Sequence, residues 1–294
     1  MRGYRFVTVD VFTDRRFGGN PLGVFPDAAG LSDAEMQSLA AELNLSETTF
    51  VLPAADAANT ARIRIFNRTA EMPFAGHPNV GTAFALAQLG RATGSTLRFE
   101  EIAGLVEVRL MREAGAVVGA EIDAPQPLQL FDEVPAAALA SCVGLVAGDI
   151  RQQSHRPIRA SVGVDFILAE LAPGSLSRAA PDIAAFRRAA ASQPADTGRF
   201  SVFVYERDGS GVRARMFAPL AGTWEDPATG SANAALAALL LHSAGGDAIA
   251  YEAVQGVEMG RTSHLSLSAR RTADGIRASV GGRCATVFEG NVGL

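Results

Sequence analysis

Four histidines, two cysteines and an absence of lysine bound the chemistry open to this 294-residue chain. All 26 basic residues are arginine. That excludes a Schiff-base lysine, pyridoxal-phosphate chemistry of the usual kind and a Walker A phosphate loop. Cys142 and Cys284 form no CxxC pair, so neither a disulfide framework nor a metal cluster is expected. His77 lies between Gly76 and Pro78 at the start of an apolar segment, held near a helix N-terminus. His242 ends a second apolar segment, where a cation suits the helix dipole. His155 and His264 have no neighbours that suggest a site. No HxH, HExxH or Cys/His spacing occurs, which argues against metal catalysis. No G-x-S-x-G occurs and Ser231 has no adjacent base, which argues against a serine nucleophile.

Two carboxylates remain as candidates. Glu47, in Asn44-Leu45-Ser46-Glu47-Thr48-Thr49-Phe50, follows a helix stop and precedes an apolar strand. A site carboxylate often projects from such a place, but spacing alone favours an ordinary strand-start glutamate. Asp226 follows Glu225 just before the second apolar segment. A helix N-terminus stabilises a carboxylate there unless desolvation protonates it.

The elements that must position these groups can be read in outline. Tyr4–Phe12 reads as a strand, followed by a turn-rich loop through Phe17-Gly18-Gly19-Asn20-Pro21. Ser32 and Glu35 make a capping box for a helix running to about Leu43, with Asn44 as its left-handed stop. Thr48–Leu52, Ala61–Phe66, Phe166–Glu170, Phe200–Glu206 and Val212–Phe217 read as strands, and Pro181–Ala191 as a surface helix. Asn79–Leu89 and Ser231–Leu241 are apolar nearly all round, so each must be a helix buried on every side. A curved sheet wrapped around each helix meets that need.

The approaches to these two helices repeat. Glu71-x-Pro73-x-x-Gly76 precedes one and Glu225-x-Pro227-x-x-Gly230 the other, 154 residues apart, and Arg62-Ile63-Arg64-Ile65-Phe66 mirrors Arg213-Ala214-Arg215-Met216-Phe217. Together these point to an internal duplication. Two helix N-termini beside glycine offer N–H groups and a positive dipole end to an anion, and in one cleft they would suit a small carboxylate.

Charge and composition agree. The net charge is −5, against a nucleic-acid partner, and 48 % hydrophobic residues with 19 % charged ones support large cores. Asp10 and Asp14 break any signal-peptide core, and Ala234–Leu241 is too short to span a bilayer. A soluble, reduced, cytoplasmic protein with no membrane partner is the default expectation.

FGGNP at Phe17–Pro21, NLSET at Asn44–Thr48, PFAGHPNVGTA at Pro73–Ala83, EDPATGSA at Glu225–Ala232 and QGVEMGR at Gln255–Arg261 together resemble the PhzF-like phenazine biosynthesis family, in order along the whole chain. The resemblance implies an α+β fold of the diaminopimelate epimerase type: two similar domains, each a barrel-like mixed sheet around a central apolar helix, with the active site in the cleft between. The corresponding domains are 1–125 and 126–284, the first completed by the C-terminal strand at about 285–294. In that family a glutamate of the NLSET-like segment shuttles a proton during isomerisation of trans-2,3-dihydro-3-hydroxyanthranilate. The resemblance therefore assigns Glu47 as general acid/base, with His77 and Asp226 assisting. It places Asn20, Gly76, Gly230 and Ser231 around a substrate carboxylate, and implies a homodimer. Epimerases of this fold carry a cysteine at each helix start; here those starts are Ala75-Gly76-His77 and Thr229-Gly230-Ser231, which disfavours a two-thiol racemase. The expectation is a cofactor-independent isomerase of a small cyclic or unsaturated carboxylate. An epimerase or dehydratase on the same groups, and a non-enzymatic binding protein, are the alternatives.

Overall fold

The computed structural model describes residues 2–92, 94–192 and 200–294. The chain divides into two compact units, Met1–Asp123 with Gly281–Leu294, and Ala124–Val280.

The first unit is a closed sheet around one helix. Its strands are β1 (Gly3–Val11), β2 (Asn20–Phe25), β3 (Glu47–Leu52), β4 (Ala61–Phe66), β5 (Glu71–Met72), β6 (Thr96–Glu101), β7 (Gly104–Glu113) and β8 (Ala116–Asp123). The chain's last strand, β18 (Gly275–Gly293), pairs with both β8 and β1, so eight strands close on themselves and β5 is an appendage on β4. β2 with β3 and β4 with β6 are parallel; their partners across β1, β3–β4, β6–β7 and β7–β8 are antiparallel.

Helix α1 (Asp33–Leu43) lies outside the barrel and α2 (Gly76–Gln88) inside it. The capping box of Ser32 and Glu35 and the left-handed Asn44 fix the ends of α1 where the sequence places them. Its Met36, Leu39 and Ala40 cover Phe25, Phe50 and Phe66 on the outer face of the sheet. α2 packs on β1, β2, β3, β7 and β8, and every residue from Gly76 to Leu86 is buried. Such a helix cannot be amphipathic, because it has no wet side. Its close fit depends on Gly81, where a Cβ would stand 2.6 Å from Leu22 Cδ2 and 2.7 Å from Val11 Cγ2. The helix starts at Gly76 rather than at Asn79. Pro78 falls in its first turn, where a missing N–H costs no helical bond.

The second unit repeats this topology. Its strands are β9 (Gln129–Glu133), β10 (Ile150–Arg151), β11 (Ile158–Ser161), β12 (Asp165–Leu171), β13 (Val202–Asp208), β14 (Gly211–Ala218), β15 (Thr223–Asp226), β16 (Ala248–Gln255) and β17 (Ser263–Thr272). They run in the order β9-β11-β12-β13-β14-β16-β17 and on to the first residues of β18. Bonds from Leu128 N–H to Ile276 O and from Ala124 N–H to Ala278 O carry the sheet back to the segment leading into β9. β12–β13 and β14–β16 are the parallel pairs, in the places of β2–β3 and β4–β6. Helix α5 (Gly230–Ala244) fills the interior against β11, β12, β16 and β17.

Outside, α3 (Ala136–Cys142) and α4 (Ile183–Ala191) cover Ile167, Val202, Val204 and Phe217. The surface helix expected over Pro181–Ala191 is α4, capped by Asp182. α3 is additional: Pro135 precedes it with no side-chain cap, so no local signal marks its start.

The fold class is thus α+β, each unit a barrel-like mixed sheet wrapped around an apolar helix. Among the described residues no helix is long and apolar enough to cross a membrane.

Candidate active site

In the first unit the candidate groups gather at the start of α2. Glu47 is the first residue of β3, in register with Leu22 of β2, and Asn20 opens β2 two residues earlier. Alternation along β3 puts Glu47 on the same face as Thr49, whose Oγ1 lies 2.8 Å from Thr82 Oγ1 of α2. Glu47 is therefore turned toward the helix. His77, in the first turn of α2, places its Nε2 3.4 Å from Glu47 Oε2.

At that distance a charged ring would form an ion pair. Burial instead pushes the His77 pKa down to about 3, because removing an imidazolium from water outweighs the nearby carboxylate. The pair is a neutral imidazole beside a carboxyl group.

The loop leading to Asn20 is held by a residue to which the sequence assigns no part in the site. Asp10 is buried in β1 and accepts a 2.6 Å hydrogen bond from the Phe17 N–H. It fixes the Phe17-Gly18-Gly19 turn, in which Phe17 takes a left-handed φ of 70°.

In the second unit the corresponding place is the start of α5. Asp226 ends β15 and is buried, accepting a 2.6 Å hydrogen bond from Thr229 Oγ1. Gln255, the last residue of β16, is fully buried and ties the helix start together. It donates to Asp226 O at 2.8 Å and to Thr229 Oγ1 at 3.1 Å. It accepts from the Thr229 N–H at 3.1 Å and from Asn233 Nδ2 at 2.9 Å. Gly230 and Ser231 are the first two residues of α5, beside this network. Gly256, with φ +75°, makes the turn after it; a Cβ there would meet Arg261 O at 2.5 Å and Pro227 O at 2.6 Å. Gln255 and Thr229 fall inside the QGVEMGR and EDPATGSA motifs and Asn233 inside the second apolar segment, yet none takes a role from sequence, because an amide and a hydroxyl carry no chemical signature until a fold surrounds them.

The helix ends differ in one respect. α1 and α4 have side-chain caps, from Ser32 and Asp182, whereas α2 and α5 begin at Ala75 and Thr229 without one, as the outer α3 does at Pro135. An uncapped helix start inside a protein suits an anionic ligand, whose oxygens take the place of the missing cap.

The repeated glutamates have a structural use. Arg64 forks onto Glu71 with two 2.6 Å bonds and Arg215 onto Glu225 with two 2.8 Å bonds. Each guanidinium also lies over a phenylalanine ring, Phe66 at 5.1 Å and Phe217 at 4.9 Å. His155 stacks on Tyr205, its Nε2 2.8 Å from the Tyr205 hydroxyl, which donates to Glu170. His242 lies in the last turn of α5. Cys142 and Cys284 are free and buried. Among the described residues no group of three or more His, Cys, Asp or Glu is placed to hold a metal ion.

Residues 9–290 match the family described as phenazine biosynthesis-like protein, PhzC–PhzF. The chain belongs to this family. It is 36 % identical to the trans-2,3-dihydro-3-hydroxyanthranilate isomerase of Pseudomonas aeruginosa, over 99 % of this chain and 100 % of that one. It is 38 % identical to an uncharacterised isomerase of Mesorhizobium japonicum, over 99 % of each chain. The Bacillus anthracis phenazine biosynthesis protein of the PhzF family has the same fold, with a TM-score of 0.89 at 24 % identity over 100 % of both chains. The chain is an isomerase of the PhzF family.

Proposed function

We propose that this isomerase moves a proton between two carbons of a small cyclic or unsaturated carboxylate, with Glu47 as the single acid/base. The observation that carries the reading is the half-buried Glu47 beside the buried His77, 3.4 Å apart at the uncapped start of α2. Glu47 takes a proton from one carbon and returns it to another. The neutral His77 ring orients the carboxyl group and shares its proton while the substrate's electrons redistribute. The substrate's carboxylate is held at the start of α2, by the first-turn N–H groups at Gly76, with Asn20 adding an amide. In the second unit Gly230, Ser231 and Asp226, the last oriented by Thr229, are the corresponding groups at the start of α5. The P. aeruginosa relative suggests trans-2,3-dihydro-3-hydroxyanthranilate as the first substrate to try.

The test is exchange of a substrate C–H proton with deuterated solvent, measured beside binding affinity. Glu47→Gln keeps the shape of the side chain but cannot accept a proton. It is expected to lower turnover and exchange by ~10²-fold or more, the range for a lost acid/base group. Binding should change much less, since the helix starts are untouched. Wild-type-like exchange in this variant would remove Glu47 from the mechanism. Joint loss of folding and binding would make it a structural residue.

A further inference from the structure

The duplication sets an unlike pair in one place. Gly76 and Gly230, which start α2 and α5, are 154 residues apart, and so are Asn79 and Asn233, and Glu101 and Gln255. Glu101 ends β6 as Gln255 ends β16. The two asparagines act alike: Asn79 Nδ2 donates to Ala75 O at 3.1 Å and Asn233 Nδ2 to Thr229 O at 3.0 Å. In the second unit a side-chain amide therefore joins the end of the strand to the first turn of the inner helix. In the first unit a carboxyl group occupies that position.

Glu101 is an unusual carboxyl group for its place. Both its oxygens are buried, and neither has a hydrogen bond of full geometry. Beside it α2 contributes the Asn79 amide and β7 sets Gly104 opposite. The titratable groups at the same helix start are Glu47 and His77. The neighbouring Glu100 is engaged elsewhere, by Asn59 and the Ala55 and Asp56 N–H groups. Among the described residues no arginine pairs with Glu101, in contrast to Glu71 and Glu225. A lone carboxylate removed from water is strongly disfavoured, whereas its neutral acid has the shape and the donor–acceptor pair of a glutamine side chain.

We propose that Glu101 is a proton-bearing positioning residue: a neutral carboxylic acid that braces the first turn of α2, and with it His77, as the Gln255 amide braces the first turn of α5. Burial, partly offset by the Asn79 amide, raises the Glu101 pKa to about 8. Above that pH the brace loses its proton, and a buried negative charge appears at the helix start that is to receive the substrate's carboxylate. Turnover then falls on the alkaline side. That consequence rests on the isomerase reading of Glu47 and His77; the protonation of Glu101 does not.

The experiment is an infrared titration of the whole protein in D2O, comparing wild type with Glu101→Gln. The wild type is expected to show the carbonyl band of a neutral carboxylic acid at pH 6, lost as pH rises through about 8, and Glu101→Gln to lack it. Should Glu101→Gln not fold, the wild-type spectrum still shows the band or lacks it. Absence of the band at pH 6 overturns the proposal whatever the substrate proves to be. The second readout is the pH profile of C–H exchange. Glu101→Gln is expected to retain exchange and lose the alkaline limb, while Glu101→Leu, with no donor, loses up to ~10²-fold, the scale of a misplaced catalytic group. An unchanged alkaline limb in Glu101→Gln overturns the positioning role. If Glu47→Gln exchanges like wild type while the band is present, the isomerase reading fails and the assignment of the Glu101 proton stands.

Discussion

A buried imidazole 3.4 Å from a carboxyl group can be a fixed ion pair or a proton-transfer pair, and burial decides between them. His77 is driven toward neutrality, to a pKa of about 3, while an unfolded chain would titrate its histidine near ~6.5. The folded state therefore binds fewer protons at this site than the unfolded one. The stability it contributes is present above about pH 6.5 and is lost as pH falls toward about 3. His77→Gln retains a donor and cannot be protonated. Its melting temperature is expected to fall less than that of wild type between pH 7 and pH 4, measured by calorimetry at matched ionic strength. Equal acid sensitivity in the two proteins would show that burial does not depress the His77 pKa, and a smaller fall in wild type than in the variant would mark an ion pair. For turnover, the same argument says that no acid limb near pH 6 should belong to His77.

At the scale of elements, the repeated motif resolves into two kinds of residue. Gly76 and Gly230 begin the inner helices, while Glu71 and Glu225 lock short strands β5 and β15 to their neighbours through Arg64 and Arg215. The two forks differ in burial. Arg215 and Glu225 are 8 % and 11 % exposed, against 19 % and 24 % for Arg64 and Glu71. Removing one partner of a buried pair strands the other, at a cost of about 3–5 kcal/mol, and exposed pairs contribute far less. Glu225→Ala is expected to destabilise toward that range and Glu71→Ala by clearly less, as read from urea midpoints. Equal losses would show that burial does not set their worth. These motifs were legible because they recur: glycine, proline and charge at fixed spacing are visible without a fold. The capping box of α1 was equally local. Asp10, Gln255 and Glu101 were not legible, since each acts through partners brought to it by strand pairing. For Glu47, spacing alone pointed to an ordinary strand start; the family resemblance raised it, and the structure adds only its proximity to His77. Helix α3 lacks a cap and was missed for that reason.

For the whole molecule, the chain's order conflicts with its pairing. The last strand spans both units' sequence limits: Gly275–Val280 belongs to the second unit and Gly281 onward to the first. There it pairs with β1 from Gly3↔Gly293 to Val11↔Cys284, and Arg2 and Leu294 exchange both backbone hydrogen bonds, at 2.8 and 2.9 Å. The first barrel therefore cannot close until the last residues of the chain are available. Closing such a long loop slows folding, because its entropy is lost before the pairing compensates for it. Deleting residues 281–294 leaves β1 and β8 as open edges and should yield an aggregating first unit, since unpaired strand edges recruit other chains. A permutant that starts at Gly281, joins Leu294 to Met1 through a short flexible linker and ends at Val280 makes the β18–β1 pairing a local hairpin. It is expected to refold its first unit faster than the natural chain. Pulse-labelling hydrogen exchange at the β1 amides is the suitable probe, as the single tryptophan, Trp224, lies in the second unit. Protection of β1 at the same rate in both chains would show that this closure does not limit folding.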